Sequence, residues 1–518
     1  MSRYTQLFNA IAELEANHKP PDMVDIQYEF PYKQCYPGQL EILSKVQDGS
    51  SFCMTSHTGF GKTACFLSLT RDAPSIVIEP RKFLQEQCST NYYKDYVLYG
   101  RSGYSCNHAG TAAMAPCLLK VDCSDTRYHD TCQKANSTCL NRSCKIYPVD
   151  GTYNIYPCQD CEYIAAQKEA VQVLKRKGTV ICNFGNFWTL LKHADTVVID
   201  EADLFFREIS APMKIRYSKP KDYPSDSIKQ LMDREVKGLQ NAAKDSNAAF
   251  RYKMINILYN AQFLQTHHDL CFKYQRKDSF YIEIDPRNVN ILSKKLFKDK
   301  RLIIVSATPG SFDLPSYSAS IHQRCGIFFA PVGNLTSRSL AQNPYIMNQA
   351  AKAITEISNY FDMVYDNEHV IIHAGNLSTH ATAIYKLLGE DNCTLHTSGK
   401  LAETISDYLL SGKRYLIIAA AEYGLDAKWS LLQFSLKHPF PNLDERMRTL
   451  QRTMGLEFNE YYANEARTRI IQLSGRNVRS FNDFGCTIFL DSKTYDDYQK
   501  NKGIYPEWFR ERVDERCY

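Results

Sequence analysis

The sequence predicts an α/β protein made of two successive units in which apolar strands alternate with helices. In the first half, a short apolar run at residues 52–54 leads into a glycine-rich stretch, and a second run at residues 196–199 ends in two carboxylates. In the second half the alternation repeats, with strand-like segments at residues 369–373 and 415–421. Continuous apolar runs of this length, flanked by turn residues, are typical of strands in the core of a sheet.

Composition limits the possible classes of protein. The chain has 518 residues, enough for two to four domains, and is 44% hydrophobic and 23% charged. A net charge of +5 is compatible with nucleic-acid binding but does not establish it. We expect no signal peptide, because no apolar segment follows the first residues, and no membrane span, because no window of about 18 apolar residues occurs.

The glycine-rich stretch at residues 56–63 predicts a phosphate-binding loop between a strand and a helix. Its glycines allow backbone N–H groups to surround phosphates, and the following helix N-terminus adds partial positive charge. Lys62 is placed to reach the β- and γ-phosphates, and Thr63 to ligate Mg²⁺. The predicted nucleotide-binding residues of this loop are Thr58, Gly59, Gly61, Lys62 and Thr63. The alternative is a glycine-rich turn with a surface lysine.

Two stretches that flank this loop have open interpretations. Gln39 lies just upstream, and its amide could both donate to and accept from adenine, or it could simply be a polar residue at a helix start. Five tyrosines between residues 92 and 104 alternate with basic residues, which suits a single-stranded nucleic acid. A tyrosine-rich packing surface explains the same pattern equally well.

The carboxylates after the strand at residues 196–199 predict a site for phosphoryl transfer. Asp200 could hold Mg²⁺, and Glu201 could polarise the attacking water. The carboxyl ends of parallel strands are where ligands bind in such sheets. The alternative, a strand followed by an acidic first helical turn, is weakened by the phosphate-binding loop upstream.

The remaining segments complete the two units. Residues 205–300 are polar and lysine-rich and predict an inserted helical domain, after which the strand at residues 301–305 and the hydroxyl residues behind it finish the first unit. In the second unit, Arg476 and Arg479 lie three residues apart on one predicted helix face. They would act as arginine fingers if they faced the γ-phosphate, or would pair with surface acids.

Eight of the 18 cysteines lie between Cys106 and Cys161, in a stretch with few helix or strand signals. A small domain of this kind usually needs a metal or cross-links, and without secretion a metal or cluster site is favoured over disulfides. Only Cys158 and Cys161 have the two-residue spacing of a zinc knuckle, which disfavours a zinc ribbon. Zinc and an iron–sulfur cluster both remain open on spacing alone.

Taken together, these motifs occur in the order of superfamily 2 helicases, and the chain resembles the iron–sulfur XPD/DinG-like helicases over nearly its whole length. The segments that carry the resemblance are the loop around Lys62, residues 200–203, 306–308, 424–426 and 472–479, a Gln motif at residues 30–39, and cysteine segments at 100–106, 137–144 and 161–167.

The resemblance implies an α/β fold of two RecA-like (P-loop) motor domains, with an inserted Fe-S cluster domain and an inserted helical Arch-like domain. The expected bounds are 1–104, 164–204 and 301–330 for the first motor domain, 105–163 for the cluster domain, 205–300 for the Arch-like insertion and 331–518 for the second motor domain. It adds Gly424, Asp426 and Gln472 to the nucleotide site and assigns a [4Fe-4S] cluster to Cys106, Cys139, Cys144 and Cys161.

The function implied is an ATP-dependent and Mg²⁺-dependent DNA helicase that moves 5′→3′ on single-stranded DNA, an intracellular and monomeric motor. The chain is shorter than cellular members, which is consistent with a virus-encoded form. It departs from the family pattern at Asp203, which replaces a histidine, and at Tyr423, which replaces an acid.

Several alternatives remain at this point. Cys158 rivals Cys161 as a ligand, and Cys117, Cys123 and Cys132 have no role in the family pattern. The alternative functions are a translocase or RNA-directed ATPase of the same superfamily, or a zinc-dependent nucleic-acid-binding protein with a vestigial motor.

Overall fold

The computed structural model describes most of the chain outside the cysteine-rich segment. The described residues are 4–16, 22–26, 30–46, 49–57, 59–71, 73–79, 85, 95–106, 110–112, 148–149, 152–153, 161–209, 211–216, 226–244, 257–258, 260–277, 279–308, 312–319, 324–396, 401–419, 427, 429–478 and 483–516. Among the helices of these residues, none has both the length and the apolar character needed to cross a bilayer.

The first unit is built on a seven-stranded parallel sheet with the order β16-β3-β15-β11-β4-β10-β5. Its strands are β3 (Phe52–Thr55), β4 (Ser75–Ile78), β5 (Tyr96–Leu98), β10 (Thr179–Cys182), β11 (Thr196–Ile199), β15 (Arg301–Ser306) and β16 (Ser316–Ser318). The helices that accompany it are α2 (Pro37–Lys45), α3 (Lys62–Ser68), α4 (Glu162–Lys175), α5 (Phe184–Leu190) and α6 (Ala202–Ile209).

Apolar residues on both faces of this sheet explain why its strands are continuous apolar runs. In β4, Ile76 and Ile78 join the core on one face, whereas Val77 joins the core on the other. In β11, Ile199 likewise joins the first of these cores, whereas Val198 joins the second. Successive side chains of a strand point to opposite faces, so a strand covered on both sides needs apolar residues at every position.

The second unit is a six-stranded parallel sheet with the order β17-β22-β21-β18-β20-β19. Its strands are β17 (Arg324–Gly333), β18 (Val370–His373), β19 (Cys393–His396), β20 (Tyr415–Ile418), β21 (Leu432–Ser435) and β22 (Phe484–Asp491). Its helices are α9 (Ser337–Gln342), α10 (Tyr345–Tyr365), α11 (Thr382–Leu388), α12 (Leu401–Leu410), α13 (Glu445–Met454), α14 (Glu457–Leu473), α15 (Ser492–Lys500) and α16 (Glu507–Arg510). The prediction of two parallel α/β units is therefore confirmed.

The insertion at residues 205–300 is not purely helical, and in this respect the prediction was wrong. Alongside α7 (Ile228–Lys244) and α8 (Val289–Leu296) it contains an antiparallel sheet of order β12-β14-β13. The strands are β12 (Met213–Arg216), β13 (Cys271–Arg276) and β14 (Ser279–Ile284). Phe272 and Tyr274 of β13 pack with Met447, Leu450 and Phe458 of the second unit.

Two predicted boundaries of the first domain also require correction. Helix α1 (Thr5–Ala16) was assigned to the first unit, but it packs on the second sheet, where Leu7 and Ile11 join the core. Phe8 stacks on Tyr360 of α10 at 4.1 Å between ring centroids. The segment up to residue 330 was also assigned to the first unit, but β17 lies in the second sheet.

Three short two-stranded hairpins complete the described elements. They are formed by β1 (Val24–Asp25) with β2 (Gln34–Cys35), β6 (Ser105–Cys106) with β7 (Gly110–Thr111), and β8 (Pro148–Val149) with β9 (Thr152–Tyr153). Most of the predicted cluster domain, residues 105–163, lies outside the described residues.

Candidate nucleotide site in the cleft between the two units

The glycine-rich loop follows β3 and leads directly into α3. Gly59 and Gly61 have φ angles of 82° and 80°, in the left-handed region that glycine adopts without strain. Lys62 is the first residue of α3, and its Nζ donates to the carbonyl oxygens of Ser56 at 3.2 Å and His57 at 3.3 Å. The lysine is therefore held across the concave side of its own loop. Thr63 follows it and is partly exposed, and Thr58 lies outside the described residues.

Gln39 is bound to this loop. It lies in the first turn of α2 and is almost fully buried, and its Nε2 donates to the carbonyl oxygens of Phe60 at 2.8 Å and Gly61 at 3.4 Å. Its Oε1 accepts from the backbone N–H of Tyr36 at 2.9 Å. A Cβ at Gly61 would come within 2.5 Å of the Gln39 amide nitrogen. The glutamine thus positions the loop, whatever further contact it makes with a base.

The predicted carboxylates lie at the carboxyl end of β11, two strands from β3. Asp200 is nearly buried, and burial raises its pKa to about 6, with the charge of Glu201 adding to the shift and Lys62 opposing it. The Asp200 Oδ1 accepts from the N–H of Glu201 at 2.9 Å. Glu201 has a φ of 47°, an uncommon angle for a residue other than glycine, so its backbone carries strain at this position.

Glu79 is a third carboxylate in this group, and sequence reasoning missed it. It follows β4, the strand that pairs with β11, and it is 1% exposed. Its side chain shares a hydrogen bond with Asp200. The signal that could have found it is its place directly after a buried strand, the same place that Asp200 occupies.

A hydrogen bond joins the two units across the cleft. In the first unit, β15 ends at Ser306, whose Oγ lies 3.1 Å from the Oγ1 of Thr308. In the second unit, Gln472 near the end of α14 donates from its Nε2 to that Thr308 oxygen at 3.5 Å. This contact places the segment that carries the predicted fingers beside the first unit.

Arg476 lies in this segment and is mostly buried. Its Nε donates to the Gln472 carbonyl oxygen at 2.6 Å, and a second nitrogen lies 3.4 Å from Gln472 Oε1. The guanidinium is therefore folded back on its own chain in this arrangement. Arg479, Gly424 and Asp426 lie outside the described residues.

A buried polar network beneath this segment was also missed. Gln433 of β21 donates to Thr487 Oγ1 at 2.7 Å and to the carbonyl oxygen of Leu473 at 3.1 Å. The Nε2 of His373 lies 3.2 Å from Gln433 Oε1, and burial lowers the pKa of His373 to about 4. The Thr487 oxygen also accepts from the N–H of Gly475 at 3.4 Å. The network fixes the start of the Gly475–Arg476 turn.

The described tyrosines near residue 100 support the packing interpretation. Tyr96 and Tyr104 pack against the first unit's core, and the Tyr104 hydroxyl accepts from the N–H of Tyr99 at 3.2 Å. Tyr104 also meets Tyr163 edge-on, with centroids 5.6 Å apart. Their rings are therefore engaged within the protein.

The chain segments that contain two of the four predicted cluster ligands lie close together. The N–H and the hydroxyl of Ser105, next to Cys106, donate to Glu162 Oε2 at 3.2 and 2.7 Å, and Glu162 directly follows Cys161. Cys161 itself is partly exposed at the start of α4. Cys139 and Cys144 lie outside the described residues, as do Cys117, Cys123, Cys132 and Cys158. Within the described part of the chain, no three or more His, Cys, Asp or Glu side chains are arranged so that they could hold a metal ion together.

Comparisons with known proteins agree with this architecture. Residues 396–512 match the family model of the helicase C-terminal domain. A solved structure described as an XPD helicase aligns with a TM-score of 0.54 at 13% identity, covering 90% of this chain and 97% of that one. The structure of S. tokodaii Xpd4 aligns with a TM-score of 0.53 at 13% identity, covering 92% of this chain and 99% of that one. A comparison with the curated proteins found no match in sequence.

The chain has the fold of the XPD-like helicases. The resemblance to XPD-like superfamily 2 helicases that the motifs indicated is therefore confirmed, as a likeness of fold over nearly the whole chain and of sequence in the C-terminal part. In this fold, the loop of Lys62 and the segment of Gln472 lie on the two sides of one cleft.

Proposed function

We propose that the chain is an ATP-dependent DNA helicase of the XPD/DinG type, which hydrolyses ATP between its two units, moves 5′→3′ on single-stranded DNA and unwinds duplexes. The observation that carries the proposal is the cross-cleft contact of Gln472 with Thr308, beside the loop of Lys62 and the buried Asp200. The direction of movement and the choice of DNA rest on the resemblance to the family.

Each residue has a role in the proposed hydrolysis. Lys62 leaves the carbonyl oxygens of its own loop for the β- and γ-phosphates, and Gln39 holds the loop while its amide faces the base. Asp200 and Thr63 would hold Mg²⁺, which would supply positive charge against the phosphates. Glu201 accepts the proton of the attacking water.

Cleft closure completes the site. The guanidinium of Arg476 exchanges the Gln472 carbonyl oxygen for the γ-phosphate, and Arg479 approaches from the same segment. Gly424 and Asp426 approach the nucleotide from the second unit. The two units then alternate between closed and open states as nucleotide binds and leaves, and each cycle shifts them along the strand.

We also propose that Cys106, Cys139, Cys144 and Cys161 hold a [4Fe-4S] cluster. The closeness of the Cys106 and Cys161 segments supports this, because the first and last ligands of one cluster must converge. Thiolates are the ligands that such clusters require, and the cluster would replace an apolar core in holding the small domain together.

The deciding experiment combines hydrolysis, unwinding and iron content in the full chain purified without oxygen. We expect turnover that single-stranded DNA stimulates, unwinding of duplexes with a 5′ overhang, and about four irons per chain. Turnover without strand separation would favour a translocase, and stimulation by RNA alone an RNA-directed ATPase. A colourless, zinc-loaded protein without turnover would instead favour a nucleic-acid-binding protein with a vestigial motor.

A further inference from the structure

Trp508 in the short C-terminal helix α16 reaches across the cleft to the phosphate-binding loop. It is 1% exposed, and its ring meets His57 edge-on, with centroids 6.1 Å apart and planes at 62°. His57 in turn meets Phe60 of the same loop at 5.8 Å and 81°. An unbroken series of aromatic contacts therefore joins the second unit to the loop that carries Lys62.

The cluster around Trp508 contains parts of both sides of the cleft. Ala307, between Ser306 and Thr308 in the first unit, lies in the same buried apolar cluster. Helix α14, which carries Gln472, contributes the neighbouring residues Ile471 and Leu473 to that cluster. Trp508 is thus packed with the sequence neighbours of both partners of the Thr308–Gln472 hydrogen bond.

The polar end of the indole has no hydrogen-bond acceptor among the described residues. Its Nε1 is buried, and buried N–H donors are paired in most native structures. The guanidinium of Arg512 lies 5.3 Å from the ring centroid, and one of its nitrogens would be 3.5 Å from a Cβ built at Gly475. The environment of the indole is therefore sensitive to any movement of the loop or of the Gly475 turn.

We propose that Trp508 is a positioning residue that couples closure of the cleft to the shape of the phosphate-binding loop through His57. The inference rests on the proposed ATPase function. Docking of the second unit presses the indole on His57 and holds the loop in the form in which Lys62 and the backbone amides meet the phosphates. The C-terminal helix is then a working part of the hydrolytic site, although it touches no nucleotide.

The first test compares turnover in two tryptophan variants. Trp429 contacts His369 at nearly the same centroid distance, 6.0 Å, with the ring planes at 86°, but both residues lie in the second unit. We expect Trp508→Ala to lower kcat for ATP about tenfold, with the Kd of a fluorescent ATP analogue within about twofold of wild type. Trp429→Ala should leave kcat within about threefold, and Trp508→Phe, which keeps an aromatic ring at the contact, should restore most of the rate.

A double-mutant cycle separates positioning from mere stability. If Trp508 acts through His57, the His57→Ala/Trp508→Ala protein should turn over about as fast as Trp508→Ala alone. The inference would be overturned if the two single substitutions lowered kcat by factors that multiply in the double variant, while all the variants had equal melting temperatures. A wild-type rate in Trp508→Ala would also overturn it.

Fluorescence gives a readout that a merely structural role would not move. The chain has three tryptophans, so Trp188→Phe/Trp429→Phe leaves Trp508 as the only indole. Binding of a non-hydrolysable ATP analogue with Mg²⁺ should change its emission, and His57→Ala should remove most of that change. Constant emission while the analogue binds would contradict the inference and leave the proposed function standing. No binding and no turnover in the wild type would overturn both.

Discussion

The polar groups of the two sheets differ in kind. At the carboxyl ends of the first sheet they are ionisable and close together, as Asp200 and Glu79 are, and Lys62 lies near enough to lower the pKa of Asp200. In the second sheet, the polar groups beneath the segment that carries Arg476 are neutral and hydrogen-bonded to one another, as Gln433, Thr487 and His373 are.

The difference shows how the proposed work is divided. Ionisable groups buried together are costly to charge unless a ligand compensates them, which fits the phosphate and metal proposed for the first unit. A satisfied neutral network adds rigidity without attracting ions, so the second unit can hold Arg476 in a defined place. A preorganised group stabilises a transition state without reorganising at the moment of reaction.

The largest effect on ATP turnover should come from removing the positive charge of Arg476 in the second unit. Arg476→Ala should lower DNA-stimulated ATP turnover by about 10³-fold or more, because arginine fingers have effects of that order in other NTPases. Nucleotide affinity should change little, since the first unit is intact. Steady-state hydrolysis and analogue binding measure the two quantities.

The matched control for this substitution is Arg467 of α14, the helix that precedes Arg476. Arg467 is bound to Asp497 at 3.0 Å and to Glu460 at 2.8 Å, away from the cleft. Arg467→Ala should lower the free energy of unfolding by about 3 kcal/mol and leave turnover within a few-fold. Unchanged turnover in Arg476→Ala would contradict the assigned role.

The next effect concerns the charges of the first unit. Glu201→Gln should lower kcat by about 10²-fold or more, because it removes the base that accepts the proton of the attacking water. It should also lower the pKa of Asp200, since the charge of Glu201 contributes to raising it. Single-turnover hydrolysis measures the first effect and the pH dependence of Mg²⁺-dependent nucleotide binding the second. A rate near wild type would show that another group activates the water.

A smaller effect should follow from breaking the neutral network. Gln433→Leu leaves the buried Thr487 and His373 without this partner, so we expect a loss of about 2 kcal/mol in the free energy of unfolding. Turnover per folded molecule should fall less than in the two preceding variants. Denaturant unfolding tests this, with the exposed Gln275→Leu as the control. Equal stability of the two variants would show that the hydrogen bonds of Gln433 do not stabilise the second unit.

The last effect is a pH dependence of stability and concerns an ion pair between the insertion and the second unit. Glu283 contacts Arg446, and burial raises the pKa of Glu283 to about 7 although Arg446 opposes the shift and nearby Asp444 adds to it. A raised carboxyl pKa stabilises the folded state at low pH, and this advantage is lost as pH rises from about 4.5 to about 7. Relative to Glu283→Gln, wild type should therefore lose at most about 3 kcal/mol across this range. Unfolding measured at pH 5 and pH 8 in both proteins checks the sign, and a difference that does not vary with pH would contradict it.

The parts of the molecule that were predictable from sequence are those encoded in a few contiguous residues. The loop of Lys62 and the strand before Asp200 each combine a buried strand with a polar end, and both occur where expected. The apolar face of α1 shows that the helix packs, but not on which sheet. Which residues pair across the cleft, as Trp508 and His57 do, depends on tertiary packing that no local pattern records.

The antiparallel sheet of the insertion, by contrast, had a local signal. Alternating Phe272 and Tyr274 in β13, then Phe280, Ile282 and Ile284 in β14, follow the period of a half-buried hairpin. The turn between them is marked by Lys277 at a φ of 57°. The overall lysine-rich composition concealed this short pattern.

The packing of α1 on the second sheet has a mechanical consequence. Between α1 and α2 the chain passes from the second unit to the first, and between β16 and β17 it passes back. The two units are thus connected by the chain at two places, and each connection can serve as a pivot for their relative movement. Two connections favour rotation of one unit relative to the other about the line that joins the connections, and they oppose rotation about other axes. Repeated openings of the cleft should therefore follow the same path. For the proposed motor, the two connections would keep the units on the same path from one cycle to the next.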